Sequence, residues 1–262
     1  MTRNLLAIES ATDGLSVALL RGNEVVALEA PDAGRRHASV LLPTIDRVVQ
    51  GSGMKLDELD AIGISTGPGS FTSLRIGLAT AKGLGFGRSI VAVGVSTLEA
   101  MAWSLFEDES GKNLGTQVVA LLDARRGQWY AGGWAPAARR EDGLPDPVLA
   151  EGLYSPEALV ADLRGGDVSL VTPLVSGWRE VFRGGGVSLA RVIEGPAARP
   201  RADRVGRIAQ RRLDRGEGGA VGTLVARYLR RAEAEATRLG GPVEEGEVDR
   251  VGSAGSPDSS GR

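Results

Sequence analysis

Gly67-Pro68-Gly69-Ser70-Phe71-Thr72-Ser73-Leu74-Arg75-Ile76-Gly77 follows the apolar run Asp60-Ala61-Ile62-Gly63-Ile64-Ser65-Thr66 and leads into Leu78-Ala79-Thr80-Ala81-Lys82-Gly83-Leu84. That order reads as strand, glycine-rich turn, helix, a geometry in which backbone N–H groups and a helix N-terminus can face an anion. The glycines allow close backbone approach, and Ser70 or Thr72 can cap the helix. A tight turn with a good N-cap accounts for the same residues, so spacing alone leaves both readings open.

Upstream, Leu5–Ile8, Leu15–Leu20 and Glu24–Glu29 read as three strands joined by turns at Asp13-Gly14 and Gly22-Asn23, an antiparallel meander. Apolar residues at 40, 41, 42, 45, 48 and 49 give a helical period over Ala38–Val49, with Pro43 in its first turns. Downstream, the spacing predicts a helix over 73–86, a strand over Ile90–Val95 and a helix from Ser96 to about 107. Gln117–Asp123 starts a second set: strands at 128–134, 148–153 and 168–175, with helices at 157–163, 203–215 and 224–238. Residues 136–147 read as a loop rich in Pro and Arg, and the chain from Gly240 has the composition of a disordered tail. Strands alternating with helices in two successive sets indicate an α/β protein.

The chain has 262 residues, a net charge of −2 and no cysteine. Disulfides, thiol catalysis and Cys-ligated metal sites are thereby excluded, and bulk charge does not make it a polyanion binder. Its 28 Arg against 3 Lys reflect genome composition before function. No signal peptide is visible near Met1, and no run approaches the roughly 18 apolar residues that span a bilayer. The expectation is a soluble, cytoplasmic protein without membrane attachment.

These segments resemble the TsaB (YeaZ) family, needed to make threonylcarbamoyladenosine in tRNA and related to TsaD. The resemblance rests on Leu6-Ala7-Ile8-Glu9-Ser10 with Ser16-Val17-Ala18, His37 with Leu41-Leu42-Pro43-Thr44-Ile45, and the Gly67–Gly77 string. It continues through Gly94–Ala100, Leu122-Asp123-Ala124-Arg125-Arg126 with Trp129-Tyr130, and Tyr228-Leu229-Arg230. It covers residues 5–130 well and 131–230 thinly. It implies an actin-like ATPase (ribonuclease-H-like) α/β fold of two lobes, each a mixed sheet flanked by helices. Residues 1–110 would form the N-terminal lobe with the partner-facing helices. Residues 111–238 would form a smaller C-terminal lobe, its last helix able to return to the first, and 239–262 a disordered tail. Two positions depart from the family pattern: Glu9 replaces the usual Asp, and Ser73 the usual Gly after Phe-Thr.

The resemblance further implies a non-catalytic subunit that pairs with a TsaD-like catalytic subunit and a TsaE-like ATPase, forms a homodimer when alone, and meets tRNA only through the complex. The catalytic relative carries two histidines four residues apart on the helix after Gly94, a spacing suited to a divalent metal. Those positions are Thr97 and Met101 here, neither of which replaces an imidazole. His37 is the sole histidine, and spacing identifies no partner to make it a base. No catalytic or metal-binding residue is therefore assigned, and a protease reading has no supporting residue.

The partner interface is expected at His37, Leu41, Leu42, Ile45, Leu74, Leu78 and Ala81; the competing reading is that both helices only cover their own sheet. Glu9, Ser10, Gly67, Gly69 and Ser70 are the residues expected beside a nucleotide. No cofactor is expected to be tightly bound, with room left for ATP or ADP at the partner interface. A stand-alone actin-fold kinase using Glu9 and the glycine turn for Mg–ATP is the alternative. Asp123 and Arg125 read more readily as a turn or internal ion pair than as chemistry. Residues 199–238 hold eleven Arg against five acids, a patch that either contacts phosphates or forms solvated helix faces.

Overall fold

Strand β1 (Asn4–Glu9) is buried almost throughout, and its alternate residues feed two different cores. Leu6 and Ile8 pack on one face of the first sheet and Leu5 and Ala7 on the other, as the two-residue period of a strand requires. The computed structural model describes residues 2–32, 36–107, 113–139 and 143–230. The proposed tail at 239–262 lies outside them.

β1, β2 (Ser16–Arg21) and β3 (Glu24–Glu29) form the antiparallel meander, and β4 (Ala61–Gly67) and β5 (Val91–Ser96) continue the sheet in parallel. The strand order is β3-β2-β1-β4-β5, with a two-residue strand β11 (Gly219–Ala220) on the β5 edge. The second sheet comprises β6 (Gln117–Asp123), β7 (Trp129–Arg139), β8 (Pro145–Tyr154), β9 (Asp167–Thr172) and β10 (Ser188–Glu194). Its order is β8-β7-β6-β9-β10, again with three antiparallel strands followed by two parallel ones. The same five-strand arrangement thus occurs twice. That duplication is the two-lobed, actin-like α/β architecture anticipated from the sequence.

Helices α1 (His37–Gly51) and α2 (Phe71–Gly85) cover the outer face of the first sheet. α3 (Thr97–Phe106) and α6 (Ala202–Asp214) lie on its inner face, in a core they share with Val118, Ala120, Leu122 and Val171 of the second sheet. α4 (Pro156–Leu163) and α5 (Trp178–Gly184) close the far side around Trp178 and Phe182. Each large aliphatic or aromatic side chain so buried contributes about 1.5–3 kcal/mol. α6 thus brings the chain back onto the first sheet.

Three local expectations are corrected. Of the loop expected at 136–147, residues 136–139 belong to β7 and 145–147 to β8, because backbone pairing overrides a composition rich in Pro and Arg. α5 and β10 were not anticipated: β10 is only partly buried along its length, so it lacks a clear alternation. The helix anticipated at 224–238 is absent from its described part. Residues 224–228 carry no helix, and the Arg227 N–H is given to Thr66 O at 2.7 Å instead.

Candidate functional site

The glycine turn is built by contacts that leave no room for side chains. Gly67 has φ +116°, and a Cβ there would stand 2.7 Å from the Arg227 carbonyl oxygen. A Cβ on Gly69 would collide with the Ala11 carbonyl. Ser70 is the N-cap of α2, its Oγ accepting the Ser73 N–H at 3.3 Å, while its own N–H donates to Ala11 O at 2.7 Å. The Ser70 amide that could have met a phosphate is therefore taken by the β1–β2 turn, and the sequence is used to lock α2 onto β1.

Glu9 is fully buried. Its Oε1 accepts the Ala11 N–H at 2.7 Å, and the Ser65 hydroxyl donates to its Oε2. Burial pushes its carboxyl up to about 8, against the opposing effect of the Ala11 and Thr12 backbone hydrogen bonds. Ser10 is buried too, its hydroxyl donating to Ser73 O at 3.3 Å. Glu9, Ser10 and Gly67 therefore belong to the packing beneath the turn. Of the five residues expected beside a nucleotide, Gly69 and Ser70 line a cavity.

That cavity, about 500 Å³, opens between the two sheets. Ala11, Thr12 and Asp13 line it from the first sheet, and Leu122–Arg125, Tyr130, Pro173 and Leu174 from the second. Asp123 accepts the Arg125 N–H at 2.7 Å and pairs with its guanidinium at 3.2 Å. The Asp123 carboxylate thus holds a turn in which Arg125 and Arg126 both have positive φ, an uncommon conformation for non-glycine residues. Across the cleft Arg199 pairs with Asp13 at 3.2 Å.

His37, Leu41, Ile45, Leu74, Leu78 and Ala81 are buried in this chain's own fold; only Leu42, 54% exposed, offers a side chain to another molecule. Six buried apolar residues of α1 and α2 (Leu41, Ile45, Val48, Val49, Leu78 and Ala81) cover the first sheet, which is why their period was visible. His37 Nε2 lies 3.3 Å from Gly14 O, fastening α1 to the β1–β2 turn. The exposed apolar surface of α2 sits at its ends, Phe71 (40% exposed) and the flanking Phe86 (87% exposed). Arg75 stands 4.5 Å over the Phe71 ring.

Thr97 and Met101 lie fully buried on α3, in the core between the sheets. Among the described residues no group of three or more His, Cys, Asp or Glu is placed to hold a metal ion. In the described part of the arginine-rich stretch, Arg201 pairs with Asp203 at 2.6 Å, Arg207 with Glu107 at 2.9 Å, Arg212 with Glu99 at 2.6 Å and Arg215 with Glu217 at 3.2 Å; residues 231–238 of it lie outside the described residues.

Sequence reasoning missed a polar cluster around Glu151 of β8. Its Oε2 accepts from Ser96 Oγ at 2.7 Å and from Arg227 Nη1 at 2.8 Å. Burial raises its carboxyl above the usual range, opposed by the charge of Arg227, the Ser96 hydrogen bond and the charge of Arg212. Nothing in the spacing of residues 96, 151 and 227 announces this meeting, since it depends on how the sheets stack.

A family model described as TsaD, tRNA N6-adenosine threonylcarbamoyltransferase, matches residues 30–167. The chain is 37% identical over 153 residues to the tRNA threonylcarbamoyladenosine biosynthesis protein TsaB of Escherichia coli (strain K12), covering 58% of this chain and 63% of that protein. It is 41% identical over 127 residues to the TsaB of Haemophilus influenzae, covering 48% and 51% respectively. The aligned region thus spans about half to three-fifths of these relatives' own length. Among solved structures, YeaZ from Pseudomonas aeruginosa superposes with a TM-score of 0.71 at 27% identity, covering 87% of this chain and 100% of that one.

Proposed function

The chain belongs to the TsaD family, that of tRNA N6-adenosine threonylcarbamoyltransferase, and within it resembles the TsaB (YeaZ) proteins; from this we propose that it serves threonylcarbamoyladenosine synthesis on tRNA as a non-catalytic subunit. In this reading it heterodimerises in the cytoplasm with a TsaD-like transferase and activates it together with a TsaE-like ATPase. Alone it pairs with a second copy, and tRNA is reached through the complex.

The observation that carries the non-catalytic reading is the state of α3. The positions at which the catalytic relative is expected to present two histidines hold Thr97 and Met101, both sealed in the core. A helix face packed between two sheets has no opening through which a metal-bound substrate could approach. The kinase alternative loses support on similar grounds, because the Glu9 carboxyl is engaged by Ala11 and Ser65 beneath the turn.

The test is reconstitution. The purified chain should transfer no threonylcarbamoyl group to tRNA, and the TsaD-like subunit should gain activity when the chain and the ATPase are added. Transfer by the isolated chain would overturn the reading, and so would a transferase indifferent to its presence.

A further inference from the structure

Two β-bulges, one in each sheet, converge on Arg227. In the first sheet the β4–β5 register shifts between Ser65 and Gly67, which leaves Thr66 out of the ladder. Its carbonyl accepts the Arg227 N–H at 2.7 Å. In the second sheet the β7–β8 register shifts between Ala131 and Gly133, so Ala150 and Glu151 stand opposite the single residue Gly132. Such an irregularity bends a strand and re-aims a side chain. Here the Glu151 side chain crosses β7 over Gly132, where a Cβ would stand 2.7 Å from Glu151 Cγ. It reaches Ser96, at the junction of β5 and α3, and the Arg227 guanidinium.

Residues 224–229 lie as a strap along the glycine turn and the start of α2. Leu224 is anchored in the core beneath α2, and the Tyr228 ring packs 5.1 Å from Phe71. Between these two seats, Arg227 is held by its backbone to the first sheet and by its side chain to the second. We propose that the strap is a conformational relay: it seats over the glycine turn while Glu151 touches Ser96, and lifts when the two sheets part. The cleft is lined from both sheets, so a change in their separation reaches the Phe71 end of α2 through this clasp. The relay is a property of the isolated chain and does not depend on the partner reading.

Hydrogen–deuterium exchange of the full chain tests it, with the Arg227 amide rate taken relative to the β1 amides. Glu151→Gln removes the charge that holds the guanidinium; Ser96→Ala leaves that ion pair in place and removes the Ser96–Glu151 bond between the sheets, together with the cap that accepts the Glu99 N–H. Both variants should raise the Arg227 ratio by about tenfold or more, since charge-assisted bonds are among the stronger contacts and local opening follows their loss. A ratio at the wild-type value in both variants overturns the proposal, including the case in which all amides accelerate together. Acceleration in Glu151→Gln with no change in Ser96→Ala also overturns it, because the ion pair would then act locally and carry nothing between the sheets.

Discussion

Glu9 Oε1 accepts the backbone N–H of Ala11 at 2.7 Å, so the carboxyl at the end of β1 shapes the turn that follows it. The group is fully buried, and its carboxyl is raised from 4.5 to about 8. Between those values the folded chain holds a proton that the unfolded chain releases. Stability therefore falls as pH rises from 4.5 to 8, at most by about 1.4 kcal/mol per pH unit, and levels off above. Glu9→Gln keeps an acceptor for Ala11 without the ionisation, so urea unfolding of the variant should lose this slope. A wild-type slope retained in the variant would assign it to another group.

The glycine turn should tolerate no side chain. Gly67→Ala forces a residue with a Cβ to φ +116° against the Arg227 carbonyl, at a cost of about 1–3 kcal/mol. Gly69→Ala meets the Ala11 carbonyl, a backbone atom that cannot swing away, and should cost about as much, roughly 1–3 kcal/mol. Thermal unfolding reads both. Gly83→Ala, with nothing within 4 Å of the added Cβ, is the control. It should be neutral or slightly stabilising, since Ala is the better helix former.

Partner binding should separate Leu42 from Leu41. Leu42 is half exposed on α1, so Leu42→Glu should leave the melting temperature nearly unchanged. It should weaken association with the TsaD-like subunit by about tenfold or more if α1 docks there, as a buried unpaired charge would. Leu41 is 1% exposed, and Leu41→Glu should unfold the first sheet's outer core instead. Light scattering and calorimetry on both variants decide this. Wild-type affinity in Leu42→Glu would remove α1 from the interface.

The architecture was legible wherever one physical period governed a segment. The β1–β3 meander, the helices flanking Gly67–Gly77 and the restart at Gln117 all follow from alternation, helical spacing and glycine turns. The same signal at Leu41, Ile45 and Leu78 reports the sheet beneath them, and Leu74 is buried too, so periodicity alone does not separate a core face from a partner face. The Glu151–Ser96–Arg227 cluster was illegible for another reason. It is set by two register shifts and by the stacking of two sheets, and no local pattern encodes either. Arg212 likewise read as part of a basic patch, whereas tertiary packing brings it against Glu99.

That last pair supports a prediction about α3. Arg212 donates to Gly94 O at 2.7 Å and to Glu99 Oε2 at 2.6 Å, tying α6 to the end of β5 and the first turn of α3. The Glu99 side chain is only 9% exposed, so deleting the cation removes the charge that offsets its burial. Arg212→Met, which keeps the aliphatic stem, should destabilise the chain by about 3 kcal/mol. Adding Glu99→Gln should return part of that loss, with a coupling of about 1–3 kcal/mol in a double-mutant cycle read by urea unfolding. Strict additivity would show that the ion pair contributes nothing beyond its two side chains.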